Sequence, residues 1–452
     1  MTFNKKENFI YELKAVCEKH NIAGFESNTK LHEVFGNVYE KNHHIVLNED
    51  FDTNELWRAL VKFLSKAAKP VSVDLDSFLA LVDEEQHESV IGIVVAALEY
   101  VEVTPYSEKT KQTPKNIHNL VFDTKLQKLI DKHLVIAQAQ SFARMLQDTP
   151  SNKMSPGDFE KAIRAKFADI KNVKISVLDR NELQTKGFGC HYGVGKAAVS
   201  EDYQPRLLVL EYNTKPSNQK YAFVGKGVCF DTGGNNIKTG SHMRWMKFDM
   251  SGAAIVASTL FALAKNNEEV NVVMLCPLVF NLAGIEAQRP DDVVTAYNGK
   301  TVEIDNTDAE GRLILCDALT YAAKDMKADK LIDIATLTGA MIYALGETYS
   351  GVWTTTDCLW RASEAAAKFA GELVWRLPFH YDFKDLLKSN VADIANSVSD
   401  PRGGSSRAAA YLKEFTEDKP YAHFDVAITA DVGHQGTGVM LRTFYKMAID
   451  QK

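Results

Sequence analysis

Tyr221-Ala-Phe-Val-Gly225, Gly252-Ala-Ala-Ile-Val-Ala-Ser-Thr-Leu-Phe-Ala-Leu-Ala-Lys265 and Val270-Asn-Val-Val-Met-Leu-Cys-Pro-Leu-Val279 follow one another along the chain, and their order decides the fold. The first and third are apolar runs of strand length; the second is an Ala- and Leu-rich run of helical length. A second helical stretch, 309–324, leads to another apolar run, Lys330-Leu-Ile-Asp-Ile-Ala335. Upstream, Lys174–Leu178 and Arg206–Tyr212 read as two further strands. Strands alternating with helices predict an α/β domain with a mostly parallel sheet flanked by helices on both faces. In such sheets functional groups gather where strands end and helices begin.

Toward the N-terminus the pattern loosens. Val90–Leu98 is an apolar run that periodicity alone cannot assign to helix or strand. Thr104–Asn116 is polar, with two prolines and three lysines, and marks a domain boundary. Leu126, Ile130, Leu134, Ala137 and Met145 fall on one helical face, and Asp148-Thr-Pro-Ser-Asn152 ends that helix. The expected organisation is a smaller α/β N-terminal domain over 1–120, a linker helix over 121–150 and a catalytic domain over 151–452. The length of 452 residues allows that many parts.

Composition excludes several classes. Fifty-two Lys and Arg against 59 Asp and Glu leave a net charge of -7, which argues against a nucleic-acid partner. Apolar runs such as Val90–Leu98 fall far short of the roughly 20 residues a spanning helix needs, so no membrane is expected. The first eight residues lack the apolar core of a secretory signal. Six cysteines lie far apart with no C-x-x-C, which fits a reduced, cytoplasmic setting.

Most familiar motifs are absent. Gly193-Val-Gly-Lys-Ala-Ala198 matches a relaxed dinucleotide pattern, but Val199-Ser-Glu-Asp-Tyr-Gln-Pro205 is a poor helix opening, so the anion-binding terminus is missing. No phosphate-binding loop, H-E-x-x-H or G-x-S-x-G occurs.

Two blocks carry chemistry. One runs from Val224 to Lys238 and continues through Met246-Lys-Phe-Asp-Met-Ser-Gly252; the other is Asn306-Thr-Asp-Ala-Glu-Gly-Arg-Leu313. Each piece has a plain structural reading: Thr307-Asp-Ala-Glu310 as a capping box, Asp249 as a helix cap, Asp231-Thr-Gly-Gly234 as a turn. Together these readings do worse, because the doubly wound sheet brings all the groups to one edge, with glycines close by for backbone approach. Four carboxylates there (Asp231, Asp249, Asp308, Glu310) cannot readily ionise together without counter-charge, and two divalent cations supply +4 against their -4.

The octapeptide Asn306–Leu313 resembles the signature of the leucyl aminopeptidase (cytosol aminopeptidase) family of dimetal peptidases. The Gly225-Lys-Gly, Phe230-Asp-Thr-Gly-Gly234, Lys238 and Asp249 series matches that family in order and spacing. The resemblance runs from about Asp148 to the C-terminus, through Asp333–Ala340 and Tyr421–Asp425, and does not extend to the first 120 residues.

The resemblance implies a tightly held metal on Lys226, Asp231, Asp249 and Glu310, and a second on Asp231, Asp308 and Glu310, with Mn or Zn the expected ions. Lys226 must then be a neutral amine. Lys238 corresponds to the family's catalytic lysine, which stabilises the oxyanion, and Arg312 to the arginine that holds a bicarbonate for proton transfer. A requirement for a free α-amine makes the reaction an aminopeptidase cleavage. Met246, Thr336 and Gly339 match the pocket for the N-terminal side chain, which suits apolar residues such as Leu or Met. The family's assembly is a homo-hexamer. Asn235, Ser251 and Asp291 depart from the family's usual residues, as does Gly403-Gly-Ser-Ser-Arg407, but none removes a ligand. Two alternatives remain at this stage: a DNA-binding regulatory protein on the same scaffold, and a scaffold whose catalysis has decayed.

Overall fold

The computed structural model describes residues 1–5, 11–17, 30–35, 41–112 and 114–451. The chain packs as two compact units, Met1–Ser141 with Ala366–Glu372, and Phe142–Ala365 with Leu373–Lys452.

The first unit is a small α/β layer. Its sheet orders the strands Thr2–Phe3, Asn119–Val121, Val71–Asp74, Tyr11–Val16, Asn42–Val46 and Val34–Phe35, all parallel except the last pair. Val90–Leu98 resolves as helix, inside His87–Glu102, and every residue of that run except Gly92 is buried. It packs against the amphipathic helix Thr53–Lys66, whose buried Leu56, Leu60 and Leu64 recur at the helical spacing of four.

The second unit is built on a nine-stranded sheet. In order across the sheet the strands are Val374–Arg376, Ser350–Thr354, Tyr421–Asp425, Lys330–Ala335, Tyr221–Gly225, Asn271–Asn281, Arg206–Asn213 and Val173–Leu178, with Gly227–Asp231 also on the 271–281 edge. The centre is parallel and the flanks add antiparallel pairs, as the apolar central runs require. Side chains along strand 221–225 alternate between two layers. Ala222 and Val224 join a core with helix Gly311–Lys324. Phe223 instead meets Phe444 of helix Leu441–Ile449 at 5.2 Å between ring centres, on the side where helix Ser251–Lys265 packs. Helices thus cover both faces.

Helical stretch Met246–Lys265 is long and apolar enough to cross a membrane, yet 83% of its most apolar part is buried inside the protein. The stretch counts as one helix because a 3-10 turn, Met246–Met250, runs straight into Ser251–Lys265. Gly193 and Gly195 lie in the last turn of a helix, Gly189–Gly195, and not before one, so the dinucleotide pattern has no anion-binding terminus.

Candidate metal centre

Strand Asn271–Asn281 organises the site. Its one edge pairs first with Tyr221–Gly225 and then with Gly227–Asp231, so two short strands share the border of a single long one. Lys226 occupies the break. Its N–H donates to Ile334 O of the neighbouring strand at 3.0 Å, and its carbonyl accepts Ala253 N–H of helix 251–265 at 2.9 Å. The backbone is drawn in so tightly that a Cβ on Gly252 would stand 2.1 Å from Ile334 O. The Lys226 side chain then lies over Gly311 at the start of the 311–324 helix, where a Cβ would approach its Cε to 2.5 Å.

From this frame the carboxylates converge. Lys226 Nζ lies 2.7 Å from Asp249 Oδ1 and 2.9 Å from Glu310 Oε1, and donates to Thr336 O at 3.0 Å. Lys238 Nζ lies 2.8 Å from Asp231 Oδ2 and 2.6 Å from Asp308 Oδ1. Asp231, Asp308 and Glu310 each offer an oxygen within 4.8 Å of the others. Asp231 is fixed by its other oxygen, which accepts Gly233 N–H at 2.8 Å and Asn281 Nδ2 at 2.7 Å.

Two of the plain structural readings fail, while Asp231-Thr-Gly-Gly234 does turn, with Gly233 N–H donating to Asp231 Oδ1 and positive φ at Gly233 and Gly234. Asp249 caps nothing: helix 251–265 has Met250 at its N-cap and no side-chain cap, and Asp249 Oδ1 instead accepts Thr336 Oγ1 at 2.9 Å. The capping box at 307–310 does not form. The helix starts at Gly311 without a side-chain cap, while Thr307 Oγ1 donates to Gly233 O at 2.7 Å and accepts Asn236 N–H at 2.8 Å. Thr307 therefore stitches the two chemical blocks together.

Electrostatics follow from crowding. Burial works against the Lys226 and Lys238 ammonium groups, but the carboxylates around them overcome it and hold both above the usual lysine range. Burial, reinforced by Asp231 and Glu310, pushes Asp308 up to about 6, and burial raises Asp249 well above the carboxylate range. Asp249 Oδ2 and Glu310 Oε2 are buried with no hydrogen-bond partner. Orphaned carboxylate oxygens beside crowded carboxylates fit a cation. The donor set is all oxygen plus one amine.

Lys226, Asp231, Lys238, Met246, Asp249, Asp308, Glu310, Thr336 and Gly339 all line one cavity of about 550 Å³. Arg312 does not. It is buried behind the site, donating from Nη1 to Asn396 O at 2.8 Å, with Nε unpartnered and its pKa lowered to about 10 by burial. The positions that depart from the family pattern are accommodated. Asn235 bonds Gln288 O at 3.0 Å, Ser251 Oγ bonds Phe248 O at 2.5 Å, and Asp291 adopts a left-handed φ of 70°, which explains why glycine is usual there.

Sequence reasoning missed several cavity residues. Trp245, His242, Thr338, Ile428 and Asp431 all line the cavity, and Trp245 holds an unusual φ of 73°, a strained conformation for a bulky residue. Asn281 was hidden at the end of an apolar strand. Cys190 and Cys316, 126 positions apart, also meet beside Asp317, but Asp317 is occupied by the N–H groups of His191 at 2.9 Å and Tyr297 at 2.8 Å.

An α/β sheet with a carboxylate-and-lysine cluster at its strand ends defines a metal-dependent hydrolase. A family model described as "Cytosol aminopeptidase family, catalytic domain" matches residues 141–445. A probable cytosol aminopeptidase of Mycoplasma pneumoniae is 49% identical over 398 residues, 87% of this chain and 88% of that protein. The cytosol aminopeptidase of Encephalitozoon cuniculi is 38% identical over 81% of this chain and 74% of its own length. Among solved structures, Caenorhabditis elegans leucine aminopeptidase superposes with a TM-score of 0.78 at 30% identity, covering 91% of this chain and 84% of that one. The bottromycin maturation enzyme BotP in complex with Mn gives 0.84 at 26% identity, covering 98% and 99%. The chain belongs to the cytosol aminopeptidase family: it is a peptide-bond hydrolase that uses a divalent metal cofactor.

Proposed function

We propose that the protein removes the N-terminal residue from peptides using two divalent ions, Mn or Zn, held by Lys226, Asp231, Asp249, Asp308 and Glu310. The observation that carries this reading is the pair of buried, unpartnered oxygens on Asp249 and Glu310 among carboxylates compensated by only two lysines. When bound, such an ion pair supplies Lewis acidity and an activated water. For Lys226 to serve as a ligand its ammonium must give up a proton, releasing Asp249 and Glu310 from their present ion pairs.

The chain's own residues do the rest. Lys238, with Nζ 2.8 Å from Asp231 Oδ2 and lining the cavity, presents its ammonium charge to the oxyanion that forms as the carbonyl is attacked. To Arg312 we assign the holding of a small anion such as bicarbonate that carries the proton to the leaving amine; its unpartnered Nε supports this role, although its side chain does not line the cavity and would have to reach it. Met246, Thr336 and Gly339 border the space for the N-terminal side chain. No atom lies within 4 Å of a Cβ built on Gly339, which leaves room for a Leu- or Met-sized group. The assembly we propose is a homo-hexamer acting in the cytoplasm; light scattering giving a single chain of about 50 kDa would refute the oligomer.

The test pairs leucine anilide with its N-acetyl form in the presence of Mn²⁺, then of chelator. Cleavage of the free amine alone, lost on chelation and in Glu310→Ala, is the expected result. Equal cleavage of both forms would refute an exopeptidase.

A further inference from the structure

The cavity holds a fifth carboxylate that the metal centre does not use. Asp431 lines it together with Trp245, Met246, Ala427 and Ile428. Asp431 sits beside the 245–247 segment, as two observations show. His434, in the turn of the hairpin that Asp431 opens, stacks flat on Trp245, with ring centres 4.0 Å apart and planes at 7°, and the charge of Asp431 is felt at Lys247.

The four metal-centre carboxylates share two lysines; Asp431 makes no ion pair among the described residues. The nearby Lys247 ammonium is engaged elsewhere, donating to Asp148 O at 2.6 Å. Burial raises the Asp431 carboxyl above its ordinary value, His434 and Lys247 offset this only in part, and Glu347 adds further negative potential. A half-buried carboxylate with incomplete compensation is stabilised by any cation that reaches it. Met246 and Ile428, both apolar, line the same cavity as the metal centre and Asp431. A cavity that offers apolar side chains together with a spare carboxylate suits Lys and Arg side chains, a hydrocarbon stem with a charged head.

Resting on the aminopeptidase reading, we propose that Asp431 is a specificity-determining residue that admits basic N-terminal residues, so that peptides beginning with Lys or Arg are substrates alongside those beginning with Leu or Met. The stem packs on Met246 and Ile428, and the head pairs with the Asp431 carboxylate. Discrimination resides in a ratio, because the apolar side chains serve both substrate classes.

The Mn²⁺-loaded protein is assayed on the anilides of arginine, lysine, leucine and glutamate, comparing wild type with Asp431→Asn, Asp431→Lys and Asp431→Glu. The expected result is an arginine-to-leucine ratio of kcat/KM that falls about tenfold or more in Asp431→Asn, mainly through KM. Asp431→Glu keeps most of the ratio, and Asp431→Lys lowers it further while raising glutamate relative to leucine. A thermal melt reports whether each variant folds; a folded Asp431→Lys suffices if Asp431→Asn does not fold. Wild type that cleaves leucine anilide but neither basic substrate overturns the proposal alone, as does an unchanged ratio in a folded variant. Wild type that cleaves none of the four with metal bound overturns the aminopeptidase reading and the proposal with it.

Discussion

Asn281 Nδ2 donates to Asp231 Oδ1 at 2.7 Å and to Thr307 O at 3.1 Å, so one buried amide at the end of the longest described strand orients the Asp231 carboxylate of one chemical block and holds a backbone carbonyl of the other. Groups that hold a metal ligand from behind typically govern affinity by ten- to a hundredfold. Asn281→Ala is therefore expected to weaken Mn²⁺ binding about tenfold and to cost about 1–3 kcal/mol of stability, because Asp231 loses a buried donor. Metal titration and chemical unfolding of the same variant check both halves; full metal affinity would show that Asp231 does not need this support.

Gly311→Ala tests the close approach under Lys226. The added methyl would meet the lysine Cε at 2.5 Å, and that side chain is packed between Asp249 and Glu310. Overpacking at such a contact costs about 1–3 kcal/mol. The expected variant folds, melts at a lower temperature and binds metal poorly, since Lys226 is pushed off its position. Gly252→Ala is harsher, because the obstacle there is the carbonyl of Ile334 and no flexible side chain can yield. Little soluble protein is expected from it, and a well-folded Gly252→Ala would contradict this geometry.

Asp425→Asn separates substrate positioning from metal binding. Asp425 Oδ1 accepts the N–H groups of Leu337 at 3.2 Å and Ala427 at 3.1 Å, and Oδ2 accepts Thr338 Oγ1 at 2.7 Å. One carboxylate thus ties together two stretches of cavity wall. The expected variant keeps its metal content but shows a KM for leucine anilide raised about tenfold, with kcat less affected. A fall in kcat with KM constant would place Asp425 in a different role.

Acid sensitivity has an identifiable contributor at His191. The side chain is fully buried, its Nε2 lies 3.3 Å from Leu278 O, and burial pushes its pKa down from 6.5 to about 4. Below pH 6.5 the unfolded chain takes up a proton that the folded chain refuses. Stability therefore declines as pH falls from 6.5 to 4, by about 3 kcal/mol in total from this group. Urea unfolding across that window should show a slope one proton smaller in His191→Gln; an unaltered slope would assign the effect to another group.

The sequence showed the parallel core because strands buried on both faces must be apolar throughout, as Val272–Val279 is. It did not show strand Gly227–Asp231 as a strand, since Lys226 interrupts the run and the glycines read as a loop. The strands Ser350–Thr354 and Val374–Arg376 were missed for a related reason: they are short, and their pairing depends on distant partners. Local signals misled where tertiary contacts outbid them. Thr307 has the spacing of a helix cap, yet its hydroxyl is committed to Gly233 and Asn236, residues some seventy positions earlier. The metal-centre carboxylates were legible because their number demanded compensation. Asp431 was not, because a single acidic residue in a hairpin has no pattern around it, and only the folded chain brings it to the wall that contains Met246.

The shared border of strand Asn271–Asn281 makes this locus sensitive to chain length more than to residue identity. Side chains on a strand change face with every residue, and the pairing register runs unbroken from Val224 opposite Leu275 to Gly227 opposite Leu278, so the loss of the 226 codon in frame would remove Lys226 and also shift the following strand by one residue, turning Asp231 toward the opposite layer. The four carboxylate ligands would still be encoded, and no point substitution would be visible. Gene libraries built on this chain should hold the count of residues fixed from 221 to 231. Length variation belongs in exposed connections such as 215–218, where an added residue has solvent to enter.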